Sequence, residues 1–262
     1  MLFDSNTYLG HYPFRKTFLQ TAGELKQELV SHGIDRALVS SLPAVFYRDC
    51  MEGNLELFEA VGNDRAFFEP CAVINPAYCA AEADFRRCVE EYGVKAIKLF
   101  PAQHDYFLYD ECCVRLLKLA GELGIVVSVP ASIENPLQRH PLDANRYICE
   151  EELVKAAALA PEVNFLFHNS AAFLYAKAEK EAKLDRTGKI YYDISRVDLI
   201  AQDTLQQLVS YAGPDAVILG TGAPLHYIDV QLLKLWFMEQ TGMDQSLINA
   251  ICGENLSRLF AE

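Results

Sequence analysis

Lys98, His168 and Asp193 are the side chains of this sequence best placed to do chemistry. Each falls within or at the end of a β-rich run: Val94-Lys95-Ala96-Ile97-Lys98-Leu99-Phe100, Val163 to His168, and Ile190 to Ser195. An imidazole titrates near neutrality, and a carboxylate beside it fixes its tautomer, so His168 with Asp193 could pass protons. His168, between Phe167 and Asn169, reads equally well as a core histidine hydrogen-bonded to a neighbour. Lys98 among apolar residues has two readings. It could anchor an acidic substrate or act as an amine of lowered pKa. The simpler expectation is a structural ion pair with Asp193 or Asp4, because an unpaired buried ammonium is costly. Asn6, Tyr8 and Arg196 are candidate substrate-binding residues, Arg196 as an anion partner or a surface mate of Asp193. Gly220-Thr221-Gly222 could expose backbone N–H groups to a phosphate.

The elements that must position these residues repeat as one unit: a β-rich run, a polar loop, a helix, then often Gly. Thr21 to His32 reads as a helix with Glu24 at the capping-box spacing from Thr21. Gly33 ends it, and Arg36 to Ser40 follows as a strand. The unit recurs as Glu82 to Tyr92, Gly93 and Val94 to Phe100. It recurs again as Asp110 to Leu123, Gly124 and Ile125 to Val129. Leu2 to Tyr8, Phe67 to Ile74, Val163 to His168, Ile190 to Ser195 and Ala216 to Thr221 complete eight strands. Further helices are expected at Tyr147 to Leu159, 171–183, 203–212, Ile228 to Gln240, Gln245 to Ile251 and Asn255 to Phe260.

Such alternation means parallel strands with crossover helices. Eight units without a G-x-G-x-x-G after the first strand point to α/β architecture, a single (β/α)8 TIM barrel with extra C-terminal helices. Residues 1–262 are expected to form one domain, since no Gly/Ser-rich linker or low-complexity stretch interrupts them. In a barrel the site lies at the strands' C-terminal ends. Alternation there gives inward parity to Asp4, Asn6 and Tyr8, to Lys98, to Ser128 and Pro130, to His168, to Asp193 and Ser195, and to Gly220 and Gly222. His11, His104, His140 and His226 fall in predicted loops on the same face. Each alone reads as a solvated loop residue, although three could converge with His168 on a metal, with Asp4 or Asp193 adding a carboxylate.

The formal net charge of −13 repels nucleic acid and anionic membranes, so neither is an expected partner. A small-molecule, anionic ligand is expected instead, and a homo-oligomer is left open. The eight cysteines show no C-x-x-C pair and read as free thiols. With no signal-like start and no apolar run near the membrane-spanning length, the expected compartment is the cytoplasm.

Four segments carry a resemblance. Asp4 to Gly10 with Tyr12-Pro13-Phe14-Arg15 resembles the opening strand and loop of the amidohydrolase-related (amidohydrolase 2) family, in the metal-dependent hydrolase superfamily of TIM barrels. Val94 to Pro101 resembles its fourth strand, Gly220 to Pro224 its eighth, and Cys252 to Phe260 its closing helix. The resemblance implies a hydrolase of C–N or C–O bonds, or a decarboxylase, acting on a small organic acid or amide through a divalent metal. It also implies a His-x-His pair where this chain has Asn6 and Tyr8, a His at Pro130, a His at His168 and an Asp at Gly222. Only His168 matches. A catalytic zinc needs about three protein ligands of the His, Cys or carboxylate type. The expectation is therefore no cofactor, with a divalent metal such as zinc disfavoured. The alternative to an enzyme is a non-catalytic metabolite- or partner-binding barrel of the same family.

Overall fold

Eight parallel strands hydrogen-bond in chain order, β1 through β8, in one sheet. They are β1 (Phe3–Leu9), β2 (Arg36–Ser41), β3 (Phe68–Val73), β4 (Ala96–Lys98), β5 (Val126–Pro130), β6 (Asn164–His168), β7 (Lys189–Asp193) and β8 (Val217–Ile218). A computed structural model describes residues 1–62, 64–135, 138–143, 146–170, 189–197 and 204–261. The sheet closes on itself through the segment after β8. Ser5 N–H donates to Leu219 O at 2.9 Å, Gly222 N–H to Asn6 O at 2.8 Å and Tyr8 N–H to Ala223 O at 2.8 Å. The eighth strand expected from the sequence is thus only two residues long as a ladder with β7, and its continuation pairs with β1 instead.

Helices follow the strands: α1 (Ala22–Ser31), α2 (Leu42–Phe46), α3 (Cys50–Val61), α4 (Ala81–Tyr92), α5 (Glu111–Leu123), α6 (Glu150–Leu159) and α7 (Thr204–Ala212). The extra C-terminal helices are α8 (Ile228–Gln240), α9 (Gln245–Asn249) and α10 (Asn255–Leu259). The capping box of α1 forms as the spacing predicts, with Glu24 N–H donating to Thr21 Oγ1 and Thr21 N–H to the Glu24 carboxylate. Gly93 and Gly124 end α4 and α5 at φ 60° and 66°, the left-handed region that glycine enters without strain. The expected helix 171–183 lies outside the described residues, as does residue 203, where the helix that became α7 was expected to start.

Two helices between β2 and β3 have no counterpart in the sequence reading. Gly53 and Asn54 both serve packing there. A Cβ on Gly53 would lie 2.4 Å from the backbone N of Ala44, so glycine lets α3 lie directly on α2. Asn54 is buried and caps β3, donating to Val73 O and accepting from Val73 N–H, both at 2.8 Å.

Strict alternation fails on β1. Its register against β2 shifts between Asp4 and Thr7. Phe3 therefore joins the apolar interior at the barrel's lower end, with Leu38, Cys71, Ala96, Val126, Leu166 and Ile218. Leu256 and Phe260 close that end from below, the rings of Phe3 and Phe260 standing 5.7 Å apart. Past the shift, Asn6 and Tyr8 face the upper interior with Lys98. All eight cysteines are free thiols. No helix among the described residues is long and apolar enough to cross a membrane.

Candidate active site at the barrel mouth

The upper interior of the barrel is polar and fully closed to solvent. β6 ends in His168 and β7 in Asp193, and His168 Nδ1 lies 3.1 Å from Asp193 Oδ2. The other carboxylate oxygen, Oδ1, accepts from Ser195 Oγ at 2.6 Å, Asn169 N–H at 3.1 Å and Ser195 N–H at 3.2 Å. Burial raises the pKa of Asp193, but the hydrogen bond and charge of His168 and the donors on Oδ1 outweigh it. The carboxyl ends below its ordinary value. Burial lowers His168, a fall that its bond to Asp193 only partly reverses. A neutral imidazole facing a carboxylate, which only accepts, carries its proton on Nδ1. Its Nε2 is then a bare lone pair, and that buried atom has no partner.

β1 and β4 build the opposite wall. Lys98 Nζ donates to Asn6 Oδ1 at 2.7 Å and stands 4.1 Å from the centroid of the Tyr8 ring. Among the described residues no carboxylate oxygen lies within 4.0 Å of it, which corrects the expected ion pair with Asp193 or Asp4. The reason is that both acids are already supplied. Asp193 takes the donors above, and Asp4 accepts from Asn6 N–H, Thr221 N–H and the Thr221 hydroxyl. Burial pushes the Lys98 ammonium down to about 8, and burial pushes Asp4 up to about 6 against those three donors. Burial also raises the Tyr8 phenol, which stays protonated.

A cleft of about 660 Å³ opens above this interior, among the loops that follow β1, β5, β7 and β8. Arg15, Glu134, Ser195, Arg196 and His226 supply its polar lining, and Phe18, Leu225, Tyr227 and Val230 its apolar lining. Arg15 pairs with Glu134 at 2.5 Å. Arg196 reaches only Ser132 Oγ at 3.4 Å and Glu134 O at 3.3 Å, with no carboxylate mate among the described residues. Ser195 joins the two regions, since it lines the cleft while its hydroxyl donates to Asp193.

Of the six candidates read from the sequence, five (Asn6, Tyr8, Lys98, His168 and Asp193) meet in the interior, and Arg196 stands in the cleft. Ser128 and His226 were not among them. Ser128 pairs in register with Lys98, and its buried hydroxyl has no partner. The His226 ring fills the space a side chain at Gly222 would take, a Cβ there lying 2.8 Å from its Nδ1. Burial, then the charge of Arg196, pushes His226 down to about 4. The missing side chain at Gly222 was the available signal for it.

Several other groups read from the sequence as candidates are engaged elsewhere. His104 bonds Val45 O and His140 stacks on Phe14, so neither converges on His168. The Gly220-Thr221-Gly222 run has no N–H to offer a phosphate from Thr221 or Gly222, since these bond Asp4 and Asn6. Gly220 is required for another reason, because a Cβ there would lie 2.6 Å from Asp193 Oδ2.

The described chain superposes over nearly its full length on solved structures. A 2,6-dihydroxybenzoate decarboxylase complexed with 2,6-dihydroxybenzoate matches with TM-score 0.73 at 15% identity, covering 99% of this chain and 98% of that one. A dihydroxybenzoic acid decarboxylase from Polaromonas sp. JS666 with bound manganese and 2-nitroresorcinol matches with TM-score 0.73 at 15% identity, over 99% and 96%. An amidohydrolase II matches with TM-score 0.76 at 15% identity, over 100% of both chains. Comparison with family models gives no match, and comparison with curated proteins gives no significant one. At these identities the likeness is one of fold. The chain shares the barrel fold of these two decarboxylases and of the amidohydrolase.

The neighbour with manganese raises the question of whether these residues suit a metal. The five positions that the family resemblance marks hold an amide, a phenol, a proline, one imidazole and a glycine. The amide oxygen already accepts from an ammonium. Among the described residues, no group of three or more His, Cys, Asp or Glu side chains is placed to hold a metal ion. This donor set does not fit a catalytic divalent cation.

Proposed function

We propose that this protein is an amidohydrolase-related enzyme that takes a small organic acid and cleaves it by hydrolysis or decarboxylation without a bound metal, in the cytoplasm. One observation carries the reading: a cleft with an unmated arginine, Arg196, is also lined by Ser195, whose hydroxyl bonds the Asp193 of a buried His168–Asp193 pair. Arg196 would capture the acid at the mouth, where a guanidinium matches a carboxylate in geometry and charge. His168 would act as the base. Its Nε2 lone pair can take a proton from a substrate hydroxyl or an attacking water, and Asp193 then stabilises the imidazolium. For decarboxylation the same imidazolium returns its proton to the carbon that loses CO2, so the protonation state is restored.

The test is a panel of small aromatic and aliphatic carboxylic acids and their amides, offered to metal-stripped protein. Binding is followed by calorimetry, CO2 release by a coupled assay and hydrolysis by chromatography. Turnover of at least one acid is expected, lost in His168→Ala and weakened tenfold or more in apparent affinity in Arg196→Ala. Absence of both binding and turnover across the panel would sink the reading. The full burial of Lys98 and His168 favours one alternative, a barrel that binds the acid without transforming it. Binding without turnover, unchanged in His168→Ala, would establish that instead.

A further inference from the structure

We propose that the Lys98 ammonium takes the place of the divalent cation, and that with Asn6, Tyr8 and Ser128 it forms a receptor for the carboxylate of the ligand. The inference rests on the functional reading above, and adds which group receives the acid once it passes the cleft.

Position is the first argument. Asn6 and Tyr8 stand on the strand where the family resemblance places a metal-binding His-x-His pair. Lys98 Nζ touches both, at 2.7 Å from the amide oxygen and 4.1 Å from the ring centroid. A fixed positive charge already occupies this end of the interior, so a divalent ion beside it would meet repulsion in a medium that screens poorly.

Unfilled hydrogen-bonding capacity is the second argument. The ammonium has three protons and one acceptor among the described residues. Around it, Ser128 Oγ and His168 Nε2 are buried without a partner, and Asn6 Nδ2 and the Tyr8 phenol, neither with a full hydrogen bond, meet only each other. Buried polar atoms are normally satisfied, and four under-satisfied groups from β1, β5 and β6 around one ammonium mark a place built for a polar occupant. Three of the four can donate. With the ammonium they suit an anion with two oxygens, leaving Nε2 of His168 to accept an O–H. The acids nearest the ammonium do not compete for it, because Asp4 and Asp193 are supplied by their own donors.

Access is the third. Ser195 and His226 line the cleft immediately outside this cluster. Ser195 bonds Asp193, and His226 stands over Gly222, whose N–H bonds the Asn6 carbonyl. A small acid would enter by displacing the His226 ring from its place over Gly222.

Asn6→Asp is the decisive variant. It keeps the shape of the side chain and gives Lys98 a carboxylate mate, so the fold should hold while the receptor is filled from within. Calorimetry on metal-stripped full-length protein with sodium benzoate and sodium 2,6-dihydroxybenzoate should show binding to wild type. Affinity should fall at least tenfold in Asn6→Asp and in Lys98→Met. If Lys98→Met fails to fold, Asn6→Asp decides alone. Wild-type binding that survives unchanged in Asn6→Asp overturns the receptor and leaves the functional reading standing. No binding to wild type overturns both. Stoichiometric uptake of Mn2+ by wild type, abolished by His168→Ala, also overturns the proposal, because the metal would then hold the place assigned to Lys98.

Discussion

Asp4 shows how much of the interior depends on single side chains. Its carboxylate ties β1 to the segment after β8 through Thr221, and burial nevertheless pushes it up to about 6. An unfolded aspartate titrates near 3.9. Between those values the folded state holds the extra proton, so stability falls as pH rises from about 4 to about 6 and is flat above. Two pKa units correspond to about 3 kcal/mol. Asp4→Asn keeps the shape and removes the titration. Urea denaturation at pH 7.5 and 4.5 should therefore find wild type gaining about 1–3 kcal/mol relative to Asp4→Asn at the lower pH. Parallel curves would show that Asp4 is not the group responsible. At this scale the sequence revealed which side chains gather but not how they pair. Residue type and strand position bring Asn6, Tyr8, Lys98, His168 and Asp193 together. That Lys98 faces an amide, and not a carboxylate, follows from Ser195, Asn169 and Thr221 occupying both acids, and the contacts of Asn169 with Asp193 and of Thr221 with Asp4 join residues far apart in sequence.

Elements were legible where a local signal fixes both ends. Thr21 with Glu24 starts α1, and Gly93 and Gly124 stop α4 and α5, because caps and left-handed turns are decided within a few residues. The pair α2–α3 was not legible, since its glycine answers a tertiary contact. Gly53 sits where any Cβ would strike Ala44. Helix propensity alone would make Gly53→Ala stabilising by about 1 kcal/mol. The clash should dominate, as overpacking typically costs about 1–3 kcal/mol. Chemical denaturation of Gly53→Ala should thus show a net loss. A net gain would mean that α2 can shift away from α3 freely. Asn54, one residue on, offers a second reading of the same experiment, because moving α3 also pulls its amide from Val73.

The whole molecule sets two opposing conditions on the site. A net charge of −13 disfavours approach of an anion, and the local cations at Arg15, Arg196 and Lys98 must override it at short range. Added salt should accordingly weaken acid binding less than it would in a protein of positive field, because screening reduces the repulsion as well as the attraction. The frame that holds those cations depends on the two chain ends meeting. Phe3 on β1 and Phe260 beyond α10 close the lower end of the barrel, on the side opposite the cleft. Sequence alternation predicted the barrel and the C-terminal helices but not the register shift on β1, which comes from pairing with β2. If residues 1–262 are one cooperative domain, damage at this seam must weaken every part at once. Phe260→Ala removes a buried ring, a change that costs about 3–5 kcal/mol. Trp236 on α8 reports one side of the fold by fluorescence, and far-ultraviolet circular dichroism reports the whole. Both transitions should move together to lower urea concentration. A variant in which only one of them moves would divide the chain into separately folding parts, and the rigid barrel mouth on which the site depends would lose its support.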